Sequence, residues 1–294
     1  MTAIREFHYT VSSLARGHRP GHHRGVHGVS GLEFRGHAPL VQVPDARRLD
    51  VRASLRDPFR QWRVRVYSQR ASIPVALVAD LSASMGFAGR TRKLDVLADL
   101  TAATGYSAWR TGDAFGFIGC DETVRADFMF APLHTRSAAF TLGERLRQLV
   151  PNGRNADGLA IAHQYLGRRR TLVFLVSDFH FPLPSLEAVL DSLALHEVVP
   201  VTLWDAREFE PPPGPGLDSW QDSETGKRRM LLVRPALRAR LTRMFVARRA
   251  ALEALFLKRG LRPLFITGDF SADALTRHFL SGAAVSDASS NGQD

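Results

Sequence analysis

Cysteine is nearly absent from this chain of 294 residues, which carries only Cys120. A single thiol forms no internal disulfide and supplies too few ligands for a cysteine-based zinc site. Cys120 follows an apolar run, so we expect a small buried residue at a strand end and not a nucleophile. Disulfide-stabilised folds and thiolate–zinc sites are therefore excluded.

Long hydrophobic runs are also missing. Nowhere do about 18 uninterrupted apolar residues occur, which is the length needed to cross a membrane. Residues 1–10 mix Arg5, Glu6 and His8 with apolar residues and contain no hydrophobic signal region. Since 45% of the residues are hydrophobic, the chain can still bury a full core. We therefore expect a soluble cytoplasmic protein without a membrane segment.

Lysine is scarce as well, because the chain contains only Lys93, Lys227 and Lys258. No Gly-x-x-x-x-Gly-Lys-Ser/Thr loop is present. Such a loop is the usual cradle for nucleotide phosphates. We therefore expect that this chain does not hydrolyse nucleotide itself.

Positive charge is concentrated in the amino-terminal part. The net charge is +10, and residues 1–70 supply +8 of it through thirteen arginines and five acids. Such a segment could face an acidic partner, a nucleic acid or an acidic patch of the same protein. Few aromatic residues interleave with the arginines and no nucleic-acid motif is present. A nucleic-acid-binding protein is therefore kept only as an alternative.

Four histidines also cluster in this region, at His18, His22, His23 and His27. Imidazoles at short spacing can bind zinc or nickel. No second ligand cluster frames them, however, so we favour a polar loop over a metal site.

Composition predicts three parts. Residues 1–71 are rich in Gly, His, Arg and Pro and contain short alternating segments, which indicates a small basic subdomain that is irregular or contains β-structure. Residues 72–280 form the main domain. Residues 281–294 are polar and predict a disordered tail.

Apolar strands alternate with amphipathic helices in the main domain. The predicted strands are residues 73–79, 114–120, 123–130, 171–177, 198–203 and 262–267, and the predicted helices are residues 92–110, 137–150, 156–166, 185–195, 235–259 and 272–280. Strands separated by helices indicate parallel crossovers, so we predict an α/β fold with a doubly wound, mostly parallel sheet. The turn at Asp121 and Glu122 predicts one hairpin within this sheet.

A carboxylate and two hydroxyls follow the first buried strand, at Asp80, Ser82 and Ser84. In open α/β sheets, ligands bind at the carboxyl ends of the strands. Oxygen side chains at alternate positions of a tight loop suit Mg²⁺ or Mn²⁺ and not zinc. The simpler alternative makes these residues helix caps or turn formers.

A second aspartate, Asp178, ends the apolar run of residues 172–177 in the same way. Two carboxylates at the ends of neighbouring parallel strands would converge on one crevice. Taken alone, Asp178 could be a turn former before Pro182. The joint pattern favours a metal-centred site, with His180 near it as a surface residue.

The pattern resembles the metal-ion-dependent adhesion site of von Willebrand factor A-like domains, which is Asp-x-Ser-x-Ser followed by a distant Thr and a distant Asp. Asp80, Ser82 and Ser84 match the first element, and Asp178 matches the last. Asn155 stands where the threonine is expected. Its amide oxygen can bind the ion or a water of its shell, and it can equally cap the helix that follows.

The flanking sequence is similar to the MoxR-associated von Willebrand factor A-like family, long labelled a domain of unknown function. The similar stretches are residues 31–35, 44–54, 112–118 and 222–227, so that the likeness spans about residues 28–280. The resemblance implies a non-enzymatic adapter or co-chaperone that works beside a MoxR-type AAA+ ATPase. The pair would mature a client or load its cofactor, methanol dehydrogenase being one candidate client.

The resemblance also implies a mechanism of binding. In it, Asp80, Ser82, Ser84, Asn155 and Asp178 hold Mg²⁺ directly or through water. One coordination position stays open, and an acidic residue of the partner or client completes the octahedron.

An enzymatic alternative uses the same Asp80. Haloacid-dehalogenase-type phosphatases present a strand-end aspartate as the nucleophile beside a cation. They place a second carboxylate two residues further on as the general acid, and this chain has Ser82 there. A metal-dependent phosphohydrolase therefore stays an alternative to the non-enzymatic module that we expect.

Overall fold

The computed structural model describes residues 6–11, 20–24, 33–68, 70–208, 216–221, 228–233 and 235–290. The chain divides into two compact units. The smaller unit is Val11–Ile73, and the larger unit joins Met1–Thr10 to Pro74–Asp294. The described residues before residue 11 thus belong to the larger unit, and the domain boundaries expected at residues 72 and 281 stay predictions.

In the part that the structure describes, the smaller unit contains two short antiparallel sheets, a 3-10 turn (Ala46–Arg48) and one short α-helix. Its elements are β1 (Pro20–Arg24), β2 (Glu33–Pro39), α1 (Val51–Leu55), β3 (Arg63–Ser68) and β4 (Arg70–Ala71). Strand β1 pairs with β4, and β2 pairs with β3. Helix α1 begins after Asp50, whose Oδ1 accepts a hydrogen bond from the Ala53 amide at 3.0 Å and so caps the first turn.

Part of the basic charge of this unit is paired within the unit. The ion pairs are Arg48 with Asp45 at 3.1 Å, Arg63 with Asp57 at 2.6 Å, and Arg65 with Asp50 at 2.8 Å. These three arginines therefore serve the local fold. Of the histidine cluster, His18 and His27 lie outside the described residues, and His22 and His23 lie in β1.

The larger unit contains one six-stranded sheet. Its strands are β5 (Pro74–Asp80), β6 (Ala114–Cys120), β7 (Val124–Leu133), β8 (Leu172–Ser177), β9 (Glu197–Leu203) and β12 (Leu264–Ile266). Between β9 and β12 along the chain, β10 (Gly216–Gln221) and β11 (Arg228–Val233) form a separate antiparallel pair. The strand order is β12-β9-β8-β5-β6-β7. All neighbours are parallel except β6 and β7, which form the predicted hairpin. The predicted α/β class with a mostly parallel sheet is confirmed.

Within the described residues, five α-helices accompany this sheet: α2 (Lys93–Arg110), α3 (Ser137–Gln148), α4 (Leu183–Ser192), α5 (Pro235–Lys258) and α6 (Ala272–Ser290). Helix α6 continues ten residues beyond the predicted end at residue 280. None of the helices in the described part of the chain combines the length and apolar character needed to cross a membrane.

The helix predicted at residues 156–166 is wrong. Two short 3-10 turns, Asp157–Ala160 and Ala162–Tyr165, take its place. The Gly158 amide donates to the Asp121 carbonyl of the β6–β7 turn at 2.9 Å. This tertiary bond fixes the segment against the β6–β7 turn, and the close approach is open to glycine because a Cβ there would lie 2.4 Å from the Thr123 carbonyl oxygen.

The core lies against both faces of the central strands. Strand β8 is buried along its whole length, and β5 is buried from Val75 onward. Strands covered on both faces read as continuous apolar runs, which is why the sequence predicts them well. On one face, Val78 and Val173 belong to the same buried cluster as Leu252 and Phe256 of α5. Cys120 is free and buried, as predicted.

The segment before residue 11 packs on the other face of the sheet. The rings of Phe7 and Phe174 lie edge to face at 5.9 Å, and the Phe7 amide donates to Ser107 Oγ at 3.0 Å. The Tyr9 hydroxyl donates to Asp113 Oδ2 at 2.5 Å in a buried position. This hydrogen bond ties the segment to the turn that follows α2.

Replacing Tyr9 with Phe should lower the free energy of unfolding at pH 7 by about 1 to 2 kcal/mol, because it removes a buried charge-assisted hydrogen bond. Burial first, and then the charge of Asp113, raise the pKa of Tyr9 well above its ordinary value. The folded protein therefore keeps this proton where the unfolded chain loses it, and the wild type loses stability as the pH rises past about 10.

The difference in the free energy of unfolding between the wild type and Tyr9→Phe should accordingly shrink by roughly 1 kcal/mol between pH 9 and pH 11. Urea unfolding of both proteins at the two pH values measures this difference. An advantage that stays constant or grows with pH contradicts the assignment.

Candidate metal centre

Three loops meet at the carboxyl edge of the sheet. Strands β5, β8 and β9 are parallel neighbours, so the residues that follow them lie side by side. Asp80 ends β5, and Asp178 comes directly after β8. The Ser177 hydroxyl donates to Asp80 Oδ2 at 2.7 Å, which joins the two loops. The predicted convergence of the two aspartates is therefore present in the structure.

Asp80 is a buried carboxylate without a cationic partner. Its side chain accepts one hydrogen bond from the Ser82 amide, at 2.8 Å to Oδ1, and one from Ser177. Within the described residues, no lysine, arginine or histidine forms an ion pair with it. Burial first, and then the charge of Asp178, raise the pKa of Asp80 to about 6. This carboxylate is thus poised to receive a positive charge.

The two serine hydroxyls of the motif lie beside each other. Ser82 and Ser84 flank the start of a 3-10 turn, Ala83–Gly86, which holds their oxygens 3.2 Å apart. Adjacent ligands of an octahedral Mg²⁺ ion lie about 3.0 Å apart, since each bond is about 2.1 Å long. The hydroxyl spacing therefore fits two neighbouring positions around one ion.

Asn155 lies in the loop next to the motif. The Ala83 amide donates to the Gly153 carbonyl at 2.8 Å, which fixes this loop against the motif. The Asn155 Oδ1 atom accepts a hydrogen bond from the Asp157 amide at 3.1 Å. This contact is a local Asx turn and not the predicted helix cap, since the helix expected from residue 156 is absent. The role of Asn155 as a metal ligand stays a prediction.

Asp178 differs from Asp80 because it has a buried cation. Lys93 Nζ lies 2.8 Å from Asp178 Oδ2, and only 2% of the lysine side chain and 1% of the aspartate side chain are exposed. The same Nζ contacts Glu208 Oε1. Burial opposes ionisation of Asp178, but the charge of Lys93, together with His180 and with hydrogen bonds from Lys93 and Ser84, outweighs it and lowers the pKa to about 2. One crevice therefore holds one compensated and one uncompensated aspartate.

Sequence reasoning missed both Lys93 and Glu208. Lys93 is the first residue of α2, where the helix dipole disfavours a cation. A lysine at this unfavourable position was the feature of the sequence that could have indicated a nearby acidic partner. Glu208 lies five residues beyond β9, at the same edge as the two aspartates. Its distance from the strand end left no comparable signal.

A second group of possible metal ligands lies beside the motif. One ligand atom from each of Asp178, His180 and Glu208 lies within 4.8 Å of the others. His180 Nε2 is 3.2 Å from Glu208 Oε1, and the imidazole stacks on Trp204 at 6.0 Å. Lys93 already pairs with two members of this group, Asp178 and Glu208, so their charge is less available to an ion than that of Asp80.

The loop that carries Asp178 is held by its neighbours. Trp204 Nε1 donates to the Asp178 carbonyl at 2.7 Å. Phe179 adopts a positive φ of 51°, which is uncommon for a residue other than glycine. Arg248 of α5 donates to the carbonyls of Phe179 and Phe181. These bonds offset the backbone strain and fix the direction of the Asp178 side chain.

The oxygen side chains of Asp80, Ser82 and Ser84 thus lie together at the carboxyl edge of a mostly parallel α/β sheet. A sequence profile of the family described as "Protein of unknown function DUF58" matches residues 43–251, and the chain belongs to this family. The resemblance inferred from the motifs is thereby confirmed.

Two relatives illustrate the family. A Paracoccus denitrificans protein described as "Uncharacterized protein in moxR 3'region" is 38% identical over 106 residues, which are 36% of this chain and 100% of the relative. An uncharacterized protein of Mycobacterium tuberculosis is 28% identical over 255 residues, which are 84% of this chain and 78% of the relative.

Solved structures of similar shape include an aerotolerance-related membrane protein from Bacteroides fragilis, at 12% identity and a TM-score of 0.42 over 71% of this chain and 98% of that one. They also include proximal thread matrix protein 1 from the mussel byssus with a zinc-occupied MIDAS motif, at 15% identity and a TM-score of 0.33 over 45% and 38%.

The two aspartates should respond to neutralisation in opposite directions. In chelator at pH 7.5, Asp80→Asn should raise the free energy of unfolding by roughly 2 kcal/mol, because it removes a buried charge whose pKa is about 6. Asp178→Asn should lower it by about 3 kcal/mol, because it breaks a buried ion pair. Denaturant unfolding measures both values, and changes of the same sign would contradict the described difference.

Proposed function

We propose that this protein is a metal-dependent interaction module in which Mg²⁺ or Mn²⁺ is held by Asp80, Ser82 and Ser84. The observation that carries the proposal is the buried carboxylate of Asp80, which forms no ion pair within the described residues, beside two hydroxyls spaced 3.2 Å apart. Hard oxygen donors of this kind favour Mg²⁺ or Mn²⁺ over zinc. The residues present therefore fit such an ion.

The charge of the crevice supports a divalent ion. Asp80, Asp178 and Glu208 supply three carboxylates, and Lys93 supplies one ammonium, so that a formal charge of −2 remains. A divalent cation would neutralise this charge without any rearrangement of ion pairs. In the proposed site, Asp178 and Asn155 act on the ion through bound water, since both already make protein contacts.

An ion held by one carboxylate and two hydroxyls has further coordination positions. Carboxylate oxygens are preferred ligands for Mg²⁺, so an Asp or Glu of a partner is the group that best fills one of them. The strength of the contact would then depend on both the metal and the partner's geometry. This is a binding function and requires no catalytic group.

We propose a MoxR-type AAA+ ATPase as the partner. The support is the description of the Paracoccus relative, which places that protein in the 3' region of moxR. This chain carries no phosphate-binding loop of its own. In this division of labour the ATPase supplies the energy, and this chain links it to a client that presents an acidic residue, with methanol dehydrogenase as one candidate.

The local geometry favours binding over phosphate hydrolysis. The position two residues after Asp80 carries a serine, and the Ser82 hydroxyl lies 3.2 Å from that of Ser84. A general acid at this position would need a carboxyl group. We therefore propose that the module is non-enzymatic; phosphatase turnover that is lost in Asp80→Asn would favour the alternative.

Isothermal titration of Mg²⁺ tests the metal site. The wild type should bind one ion, and Asp80→Ala and Ser84→Ala should each weaken binding by at least about tenfold, because each loses a direct ligand. Asp191→Ala is the matched control, because it removes an exposed aspartate of α4 that pairs with Arg259. Equal affinities for Asp80→Ala and the wild type would contradict the site.

Pull-down with a co-encoded MoxR-type ATPase tests the partner. Retention should require Mg²⁺, should be lost in chelator, and should be lost in Asp80→Ala but not in Asp191→Ala. The physical reason is that the partner's carboxylate binds through the ion. Retention that is unchanged in chelator and in Asp80→Ala would show that the ATPase contacts another surface or that the interaction does not depend on the metal.

A further inference from the structure

Lys93 is unusual among the charged residues of this chain. It is one of only three lysines, and 2% of its side chain is exposed. Its Nζ donates to Asp178 Oδ2 at 2.8 Å, to Glu208 Oε1 and to the Ser84 carbonyl at 3.4 Å. The ammonium therefore satisfies its hydrogen-bonding capacity entirely inside the crevice.

Ser84 connects this ammonium to the motif. Its carbonyl accepts from Lys93, while its hydroxyl lies 3.2 Å from the Ser82 hydroxyl and also hydrogen-bonds to Asp178. The ammonium of Lys93 therefore contacts the backbone of Ser84, one of the proposed metal ligands. It pairs with Asp178 and Glu208, and it leaves Asp80 unpaired.

We propose that Lys93 determines the metal affinity of this centre by holding Asp178 in an ion pair, away from direct coordination of the ion. The inference rests on the proposed function of the crevice as a metal site. Two physical effects act in the same direction: the ammonium repels the incoming cation, and it occupies the carboxylate that could otherwise become a fourth protein ligand.

This arrangement has a consequence for partner binding. With Asp178 held by Lys93, the protein supplies one direct anionic ligand to the ion, so that a coordination position remains for a partner's carboxylate. Direct coordination by Asp178 would neutralise the ion and weaken its attraction to that carboxylate. Lys93 therefore lowers the affinity of the site for the metal in the absence of a partner, and it favours joint binding of the metal and the partner.

A purely structural ion pair would behave differently. Loss of Lys93 leaves two acidic side chains without their cation, which destabilises the fold whatever the role of the lysine. Stability therefore does not separate the two roles. Metal affinity separates them, because a structural lysine predicts no gain in affinity when its charge is removed.

The test is titration of Mg²⁺ by calorimetry and of Mn²⁺ by electron paramagnetic resonance into the wild type, the four variants described next, and Asp80→Ala alone and combined with Lys93→Met. Lys93→Met should bind both ions at least about tenfold more tightly than the wild type. Lys93→Met combined with Glu208→Gln keeps the formal charge of −2 but frees Asp178, so it should also bind more tightly. Lys93→Arg, which keeps the positive charge, and the surface control Lys258→Met should stay within about twofold of the wild type.

The double variant keeps the test decisive if Lys93→Met fails to fold. Affinity in the double variant that equals or falls below that of the wild type overturns the inference. If Asp80→Ala at the same time abolishes binding by the wild type, the proposed metal function survives that result. A third outcome is that the wild type binds no metal, the Lys93 variants bind it, and Asp80→Ala abolishes that binding. This outcome supports the role of Lys93 and contradicts metal binding by the native chain.

Discussion

The buried carboxylate of Asp80 is the constraint on which the crevice depends. It ends a strand that is covered on both faces, and it accepts hydrogen bonds from the Ser82 amide and the Ser177 hydroxyl. A buried charge is costly unless a counter-charge compensates it. Asp178 meets the same requirement with an internal lysine. This contrast supports the proposal that a divalent cation is the counter-charge of Asp80.

The central strands could be predicted because burial on both faces requires apolar residues at successive positions of the sequence. Strands β5, β6, β8 and β9 begin and end within one residue of the predicted positions, since strands buried on both faces are continuous apolar runs between polar loops. The error at residues 156–166 has a tertiary cause. The Gly158 amide bonds to the Asp121 carbonyl, a partner 37 positions earlier, and local periodicity carries no record of such a contact.

The candidate site was predictable to the extent that it follows strand ends. Asp80 and Asp178 take their positions from β5 and β8, so the sheet topology brings them together. Lys93 and Glu208 reach the crevice through long side chains from a helix start and a later loop, and their pairing depends on the assembled fold. Which carboxylate is paired with a cation could therefore be determined only from the structure.

The most direct measurement is anomalous diffraction at the manganese edge from crystals grown with Mn²⁺. The account predicts a peak about 2.1 Å from a carboxylate oxygen of Asp80 and from the hydroxyl oxygens of Ser82 and Ser84. It also predicts that Lys93 remains paired with Asp178. The absence of a peak at saturating Mn²⁺, or a peak bound by Asp178 in place of Asp80, would contradict it.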